Sequence, residues 1–168
     1  MSVSLRPFVA IDAPVINRLS VAAFSQYRNA YNDWPAMTKV LEKMSEMAAT
    51  AEIIIAEHDD RVVGAVGYLP PFAPKAAHFK AQWPLIRMLV VDPDARGIGA
   101  GRALSEACIG RARRDHAAEI ALHTSEMMTV ALPMYLRMGF TRFSDAPDLF
   151  GVPYGIYVKP LGAASAST

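Results

Sequence analysis

The order of hydrophobic and polar residues over positions 1–50 predicts a short strand followed by two helices. Residues 4–11 have the character of a strand. Asp12-Ala-Pro14 then places a capping residue before a proline, which is typical of a helix start. Apolar residues at helical spacing extend this helix to about Gln26, and they are Val15, Leu19, Ala22 and Ala23. We expect a second helix over residues 37–49.

The middle of the chain predicts a hairpin and then a strand–helix–strand unit. Residues 51–57 and 61–69 are strand-like runs joined by a short polar turn. Residues 85–91 form the most apolar run and are interrupted only by Arg87, which predicts a strand buried on both faces. A helix and a second strand, residues 120–124, follow it closely, so the two strands are expected to be parallel neighbours.

The C-terminal part of the chain predicts one more helix and two closing strands. The helix covers residues 127–138 and is stopped by a glycine. The strands lie near residues 140–143 and 154–158. No repeat or linker divides the chain, so we expect one domain over residues 1–160 and a disordered tail over residues 161–168.

Composition and charge narrow the classes of function. Apolar residues make up 52% of the chain, and 17 basic residues balance 16 acidic ones to a net charge of +1. This balance lacks the basic excess that binds a phosphate backbone, so we expect no nucleic-acid partner. No run of about 18 apolar residues or signal-like N-terminus is found, so we expect a cytoplasmic protein without membrane association. Cys108 occupies an apolar helical position and is expected to be a small buried residue.

The most informative segment is the glycine-rich turn Arg96-Gly-Ile-Gly-Ala-Gly101, which follows the apolar strand and opens a helix. Alternating glycines let a backbone approach a ligand closely, and the first amides of a helix have no partner within it. These amides and the helix dipole favour an anion, to which Arg96 and Arg102 can add charge-assisted contacts. The turn therefore predicts a pyrophosphate site, and the alternative is a tight turn whose glycines only permit close packing.

Two other phosphate motifs are excluded at the level of single residues. A P-loop requires Lys and then Ser or Thr after its last glycine, whereas Gly101 is followed by Arg102 and Ala103. A dinucleotide fingerprint requires a further glycine where this chain has Arg102 or Leu104. The acidic residue expected at the end of a later strand is also missing, because Glu119 stands at a strand start.

The same segment resembles the acetyl-CoA motif of the GNAT superfamily of N-acetyltransferases, Gln/Arg-x-x-Gly-x-Gly/Ala after a Val-Asp-Pro-like turn. Here the motif reads Val91-Asp-Pro-Asp-Ala-Arg96-Gly-Ile-Gly99-Ala-Gly101. A second family feature, a helical tyrosine followed by Gly-Phe, reads Tyr135-Leu-Arg-Met-Gly139-Phe140. The runs Ile86-Arg-Met-Leu and Leu122-His-Thr-Ser are similar to one bacterial branch of the family.

The resemblance implies an α/β fold of the α+β type, with a mixed, splayed sheet of about six to seven strands flanked by about four helices. It also implies acetyl-CoA as co-substrate, held between two diverging parallel strands, and no metal. The turn would hold the pyrophosphate, and the strand backbone would pair with the pantetheine arm. The implied cofactor-binding residues are Leu89, Val90, Val91, Arg96, Gly97, Ile98, Gly99, Ala100, Gly101 and Arg102.

Direct attack of an amine on the acetyl thioester requires a base for the amine and a proton donor for the leaving thiolate. The resemblance implies Tyr135 as the general acid, and the alternative is a helix tyrosine that packs in the core. The identity of the base stays open, because relatives often carry Glu where this chain has Leu85 and several carry Asn where it has Met128. The remaining candidates are Glu126, His123 and His78, each of which could instead be a structural or solvent-exposed residue.

Aromatic and polar residues interleave before the second helix, and the resemblance implies that this segment lies beside the acceptor. The predicted substrate contacts are Tyr27, Arg28, Tyr31 and Trp34, whose rings could instead cap the core. The expected partner is a small-molecule or peptide amine. Relatives are often dimers, so a homodimer is one of the oligomeric states that the resemblance leaves open. The predicted function is transfer of acetyl from acetyl-CoA to a primary amine. The alternatives are a non-catalytic acyl-CoA-binding sensor, which Leu85 keeps open, and a different donor such as propionyl-CoA or succinyl-CoA.

Overall fold

The computed structural model describes residues 2–162, in which seven strands form one mixed sheet with helices on both faces. The strands are β1 (Ser4–Pro7), β2 (Glu52–His58), β3 (Arg61–Leu69), β4 (Leu85–Val91), β5 (Glu119–Thr124), β6 (Thr141–Leu149) and β7 (Val152–Pro160). The α-helices are α1 (Ala13–Phe24), α2 (Trp34–Leu41), α3 (Ala100–Arg114) and α4 (Ala131–Arg137). Single 3₁₀ segments lie at Ala10–Asp12, Ser25–Tyr27, Met44–Ala49 and Pro93–Ala95. This is the mixed α/β architecture that the sequence predicts.

The sheet has the strand order β1-β2-β3-β4-β5-β7-β6, and every neighbouring pair is antiparallel except β4 and β5. The predicted hairpin is formed by β2 and β3, whose turn residues Asp59 and Asp60 both have positive φ angles of 52° and 62°. Such angles match the right-handed twist of the flanking strands. The parallel pair in the centre is joined through α3, as the strand–helix–strand pattern predicts.

The hydrophobic core has two layers, one on each face of the sheet. Helices α3 and α4 cover one face, and they pack on alternate strand residues such as Ile86, Ile120 and Leu122. Helices α1 and α2 cover the other face, where Leu85 and Ala121 point. Within α3 the predicted stripe is buried, and its members are Ala100, Leu104, Cys108 and Ala112. Burial raises the pKa of the Cys108 thiol to about 12, so this residue is a neutral packing group as predicted.

Helix α2 differs from the prediction, which placed a helix over residues 37–49. It begins at Trp34 because the side chain of Asp33 accepts a hydrogen bond from the Ala36 N–H at 3.1 Å and caps the first turn. It ends at Leu41, and residues Met44–Ala49 form a 3₁₀ segment instead. The capping side chain therefore moves the helix start three residues towards the N-terminus.

The C-terminal elements also differ from the prediction. Helix α4 is shorter than the predicted 127–138. Pro133 lies in its first turn, where N–H groups have no partner within the helix, so the N–H group that proline lacks costs no hydrogen bond. Strands β6 and β7 are longer than predicted, since irregular pairing lets the hairpin continue past Pro147. Strand β1 is shorter and ends at Pro7.

The chain termini define how far the described fold reaches. Leu161, which the sequence prediction assigned to the tail, is buried, and its N–H donates to the Ala118 carbonyl at 2.9 Å. Residues 163–168 of the predicted tail lie outside the described residues. Among residues 2–162, no helix combines the length and apolar character needed to cross a lipid bilayer.

Candidate active site

The parallel strands β4 and β5 separate almost as soon as they meet. One residue pair, Leu85 and Ala121, joins them, together with a hydrogen bond of 3.0 Å from the Ala121 N–H to the Pro84 carbonyl. The pairing of β4 with β3 shifts register near Met88, whose φ is +52°. A bulge of this kind bends a strand and increases its twist. The backbone of β4 beyond the bulge therefore faces an opening rather than β5.

The glycine turn lies at the wide end of this opening. Gly97 and Gly99 both have φ angles of +84°, a conformation that residues with a Cβ rarely adopt. Asp92 braces the start of the turn by accepting a hydrogen bond from the Asp94 N–H at 2.9 Å. Within the described chain, no acceptor takes a hydrogen bond from the backbone N–H groups of residues 97–102. These amides remain available to an anion in front of α3.

A cavity of about 380 Å³ extends from the glycine turn along β4. Its walls are mostly apolar and come from β4, the end of α1, and the segment that leads into α4. The residues that line it include Phe24, Tyr27, Leu89, Val91, Arg96, Gly101, Arg102, Met128, Ala131 and Met134. Leu89 and Val91 are only half-buried for this reason, although the sequence predicted a strand buried on both faces. We call this the main cavity.

Eight of the ten predicted cofactor-binding residues line the main cavity, and Val90 and Ile98 are the two that do not. The Val90 side chain points to the opposite face of the sheet and packs with α1. The Ile98 side chain packs against the core beneath α3. The contacts predicted for both residues are made by backbone groups, so the direction of the side chains does not exclude these contacts.

Tyr135 lies in the core layer between α3 and α4. Its side chain is 5% exposed, and its ring packs edge-on against Phe140 with the centroids 5.6 Å apart. The cavity side of α4 is formed instead by Ala131 and Met134. Burial raises the pKa of the Tyr135 hydroxyl, so the hydroxyl is protonated at neutral pH. Its role as a general acid stays a prediction.

The three candidate bases are divided between two places. His123 and His78 meet on the α1/α2 face, with their rings stacked and the centroids 6.4 Å apart. Burial, followed by the charges of Arg87 and His78, lowers the pKa of His123 to about 4. By surface area, however, His123 is exposed to solvent. Glu126 lies elsewhere, at a second cavity of about 560 Å³ beside β6 and β7.

The four predicted substrate contacts do not form one group. Tyr27 lines the main cavity, whereas the exposed Arg28 donates a hydrogen bond of 3.0 Å to the Ser25 carbonyl. Tyr31 is buried, and its hydroxyl lies 2.6 Å from the Tyr154 hydroxyl. Trp34 starts α2 and packs beside Tyr31 with the ring centroids 6.1 Å apart. The three aromatic rings thus serve partly as cavity wall and partly as core.

Two residues near the opening were missed as site residues in the sequence analysis, Arg87 and Tyr154. The sequence could have pointed to Arg87, since it is the one charged residue in the apolar run 85–91. No local sequence pattern points to Tyr154, because its place beside His123 depends on the pairing of β5 with β7, which brings the two ring centroids to 5.0 Å. We refer to Arg87, His123, His78, Phe79 and Tyr154 together as the His–Arg cluster.

The diverging parallel strands, the glycine turn and the apolar cavity are features of one protein family. The profile described as the Acetyltransferase (GNAT) family matches residues 17–140, a span that contains both cavity and opening. The chain therefore belongs to the GNAT family of acetyltransferases. The predicted resemblance is confirmed.

Individual relatives agree with this assignment. A mycothiol acetyltransferase from Geodermatophilus obscurus is 40% identical over 57 residues, which are 34% of this chain and 18% of that protein. The chain thus spans less than a fifth of the length of this relative.

Solved structures show the same fold at low sequence identity. A Corynebacterium glutamicum structure described as histone acetyltransferase HPA2 and related acetyltransferase is 24% identical, with a TM-score of 0.76 over 99% of this chain and 100% of that one. A GNAT family acetyltransferase from Elizabethkingia anophelis with acetyl-CoA bound is 14% identical, with a TM-score of 0.68 over 95% of this chain and 98% of that one.

Proposed function

We propose that this protein transfers an acetyl group from acetyl-CoA to a primary amine by direct attack in a ternary complex. The observation that carries the proposal is the row of unpaired amides at residues 97–102, which faces the end of an apolar cavity between diverging strands. A pyrophosphate needs donors of this kind, and a pantetheine arm needs an apolar channel with an open strand edge. Membership of the GNAT family and the acetyl-CoA-bound relative of the same fold support it.

The glycine end of the main cavity suits two negative charges. The dipole of α3 contributes about 0.3–1 kcal/mol per charge, and up to about 2 kcal/mol where the site is partly buried. Arg96 and Arg102 line the same end of the cavity and can add charge-assisted hydrogen bonds. Gly101 leaves space there, because an added Cβ would point between Leu89, Val91 and Met134 of the cavity wall.

The chemistry needs one group that takes a proton and one that gives a proton. As the amine nitrogen bonds to the acetyl carbon, the carbon–sulfur bond breaks, the amine loses a proton, and the thiolate gains one. Deprotonating an amine with a pKa of about 10.4 costs roughly 4–5 kcal/mol at pH 7. We assign the base to His123, whose lowered pKa keeps its ring neutral at that pH. We assign the donor to Tyr135 because it is the tyrosine of the family motif and its hydroxyl carries a proton at that pH.

Two measurements test the proposed function. Thiol release from acetyl-CoA is followed with a panel of primary amines, and CoA binding is followed by calorimetry. The variant Gly101→Glu, which puts a carboxylate at the pyrophosphate position, should abolish both binding and turnover. Gly110→Glu on the same helix is the matched control, because Gly110 is exposed and a Cβ there meets nothing within 4 Å. Wild-type CoA affinity in Gly101→Glu would refute the cofactor assignment.

The same assay separates an enzyme from a binding module. Thiol release above hydrolysis, together with an N-acetylated product found by mass spectrometry, supports the transferase. CoA binding without turnover of any amine would instead favour a non-catalytic acyl-CoA sensor. Propionyl-CoA and succinyl-CoA, compared at equal concentration, test the acyl group.

A further inference from the structure

The His–Arg cluster lies on the face of the sheet opposite α3, where β4 and β5 begin to diverge. Arg87 and His123 each come two residues after the pair Leu85–Ala121 that joins the strands. Side chains two residues apart in a strand share a face, so both project towards α1 and α2. An acceptor that approaches the opening from this face meets the cluster first.

Arg87 has an uncompensated charge in an unusual position. Within residues 2–162 it makes no salt bridge, as is also true of five other arginines, and the six arginines that pair with carboxylates are Arg6, Arg61, Arg102, Arg111, Arg114 and Arg142. It stands on the fourth strand of a seven-stranded sheet rather than at an edge. By surface area Arg87 is exposed, so a ligand can reach its guanidinium from solvent, and the surrounding protein lowers its pKa by desolvation. A guanidinium that is accessible and has no carboxylate partner can bind an anion through charge-assisted hydrogen bonds.

His78 supplies a second, independent sign that a polar group is missing from the cluster. Its Nε2 atom is buried and has no hydrogen-bond partner in the described part of the chain. Buried polar nitrogens are nearly always satisfied in folded proteins. The His78 ring packs on Phe79 with the centroids 4.4 Å apart and stacks against His123. A polar ligand atom in the cluster would give Nε2 the partner it lacks.

The remaining walls of the cluster favour a small organic ligand. Phe79 lies edge-on to His123 at 5.8 Å, and Tyr154 lies 5.0 Å from it on the other strand. The Tyr154 hydroxyl is engaged with Tyr31, so it is held in place. None of the contacts made by the five cluster residues involves a carboxylate of the described chain. The cluster thus combines one cation, two imidazoles and two aromatic walls.

We propose that the acceptor is an amine that also carries a carboxylate, an amino acid or a short peptide, and that Arg87 binds this carboxylate while His123 faces the amine. The proposal rests on the proposed function, since it names the class of acceptor. One guanidinium balances one carboxylate charge, which a phosphate dianion would exceed. The planar fork of arginine also matches the two carboxylate oxygens.

The test compares acceptors that differ only in the carboxylate. Thiol release from acetyl-CoA is measured with a series of free amino acids and dipeptides, with their amides, and with the corresponding decarboxylated amines. For the best acceptor, kcat/KM should fall about 10- to 100-fold from acid to amide, the range expected for one hydrogen bond to a charged group. The comparison of amino acids with dipeptides shows which source of carboxylate the cluster accepts.

Variants assign the preference to Arg87. In Arg87→Met the ratio of kcat/KM for acid to that for amide should fall towards one, and this ratio is the readout because loss of the Arg87 charge also acts on His123 and so on the turnover of both acceptors. Arg87→Lys should keep part of the preference, because the charge remains without the fork. Arg113→Met, at an exposed position of α3 without a salt bridge in the described chain, is the matched control and should keep the full preference. CoA calorimetry on each variant verifies that it is folded.

Failure of this proposal can be told apart from failure of the proposed function. Equal turnover of acids, amides and decarboxylated amines would overturn the carboxylate proposal and leave the transferase standing. A preference for diamines would also overturn it and would point to the second cavity, whose lining includes the carboxylates of Glu126 and Asp148. Absence of turnover with every amine, while CoA still binds, would reject both.

Discussion

Replacing Gly101 with alanine adds one methyl group at the glycine end of the main cavity and leaves the backbone of α3 unstrained. Gly101 is the second residue of the helix and is not among the glycines with positive φ. The new Cβ would lie 3.7 Å from Met134 Sδ and from Val91 Cγ2, which are ordinary van der Waals distances. Alanine is the better helix former, so the free energy of unfolding should rise by about 0.5–1 kcal/mol.

The same methyl group should weaken binding of CoA. It projects between the side chains of Leu89, Val91 and Met134, all of which line the cavity. A ligand that needs this space must shift or strain its contacts. Overpacking by a methyl group costs about 1–3 kcal/mol, which corresponds to a roughly 5- to 150-fold increase in Kd.

Gly110→Ala separates the two effects. Gly110 belongs to the same helix and is exposed, and its added Cβ meets nothing within 4 Å. Urea unfolding should show a gain in stability for both variants, whereas calorimetry should show a loss of CoA affinity for Gly101→Ala alone. Unchanged affinity in Gly101→Ala would mean that the ligand does not pass this residue. An equal loss in both variants would mean that helix stability, rather than space, controls binding.

Four further changes give defined outcomes. Arg96→Ala should raise the Kd for CoA several-fold by calorimetry and leave acceptor preference unaltered, since Arg96 lines only the main cavity. Tyr135→Phe should lower kcat by about 10- to 10⁴-fold without weakening CoA binding, and an unchanged rate removes it from the mechanism. A base is active above its pKa, so the lowered pKa of His123 predicts that kcat/KM persists below pH 6. The variant His123→Gln should abolish the activity that persists below pH 6. Asp12 accepts hydrogen bonds of 2.9 Å from both terminal nitrogens of Arg6, which lowers its pKa. The stability from this pair is therefore complete above the unfolded pKa of about 3.9 and is lost as pH falls below it. Asp12→Asn should cost about 1–3 kcal/mol in urea unfolding at pH 7, and the deficit should shrink near pH 3.

Short-range signals in the sequence determined the centre of the fold and one end of the site. The apolar run 85–91 matches β4 residue for residue, and the two strand-like runs before it form the β2–β3 hairpin. The glycine turn predicted the free amides of residues 97–102, because both the glycines and the helix start can be recognised from the local sequence. Local patterns failed where one side chain decided a boundary, as Asp33 does at the start of α2.

Tertiary structure alone decided the other end of the site. The hydroxyls of Tyr31 and Tyr154 meet across 123 residues of chain, and His78 reaches His123 only because a loop folds over β5. The bulge at Met88 and the single joining pair Leu85–Ala121 create the opening, and neither can be read from a strand-like run. The surroundings of Arg87 follow from which strands become neighbours. Pairing between distant segments is set by the packing of the whole sheet, so no local stretch of sequence predicts the acceptor side of the site.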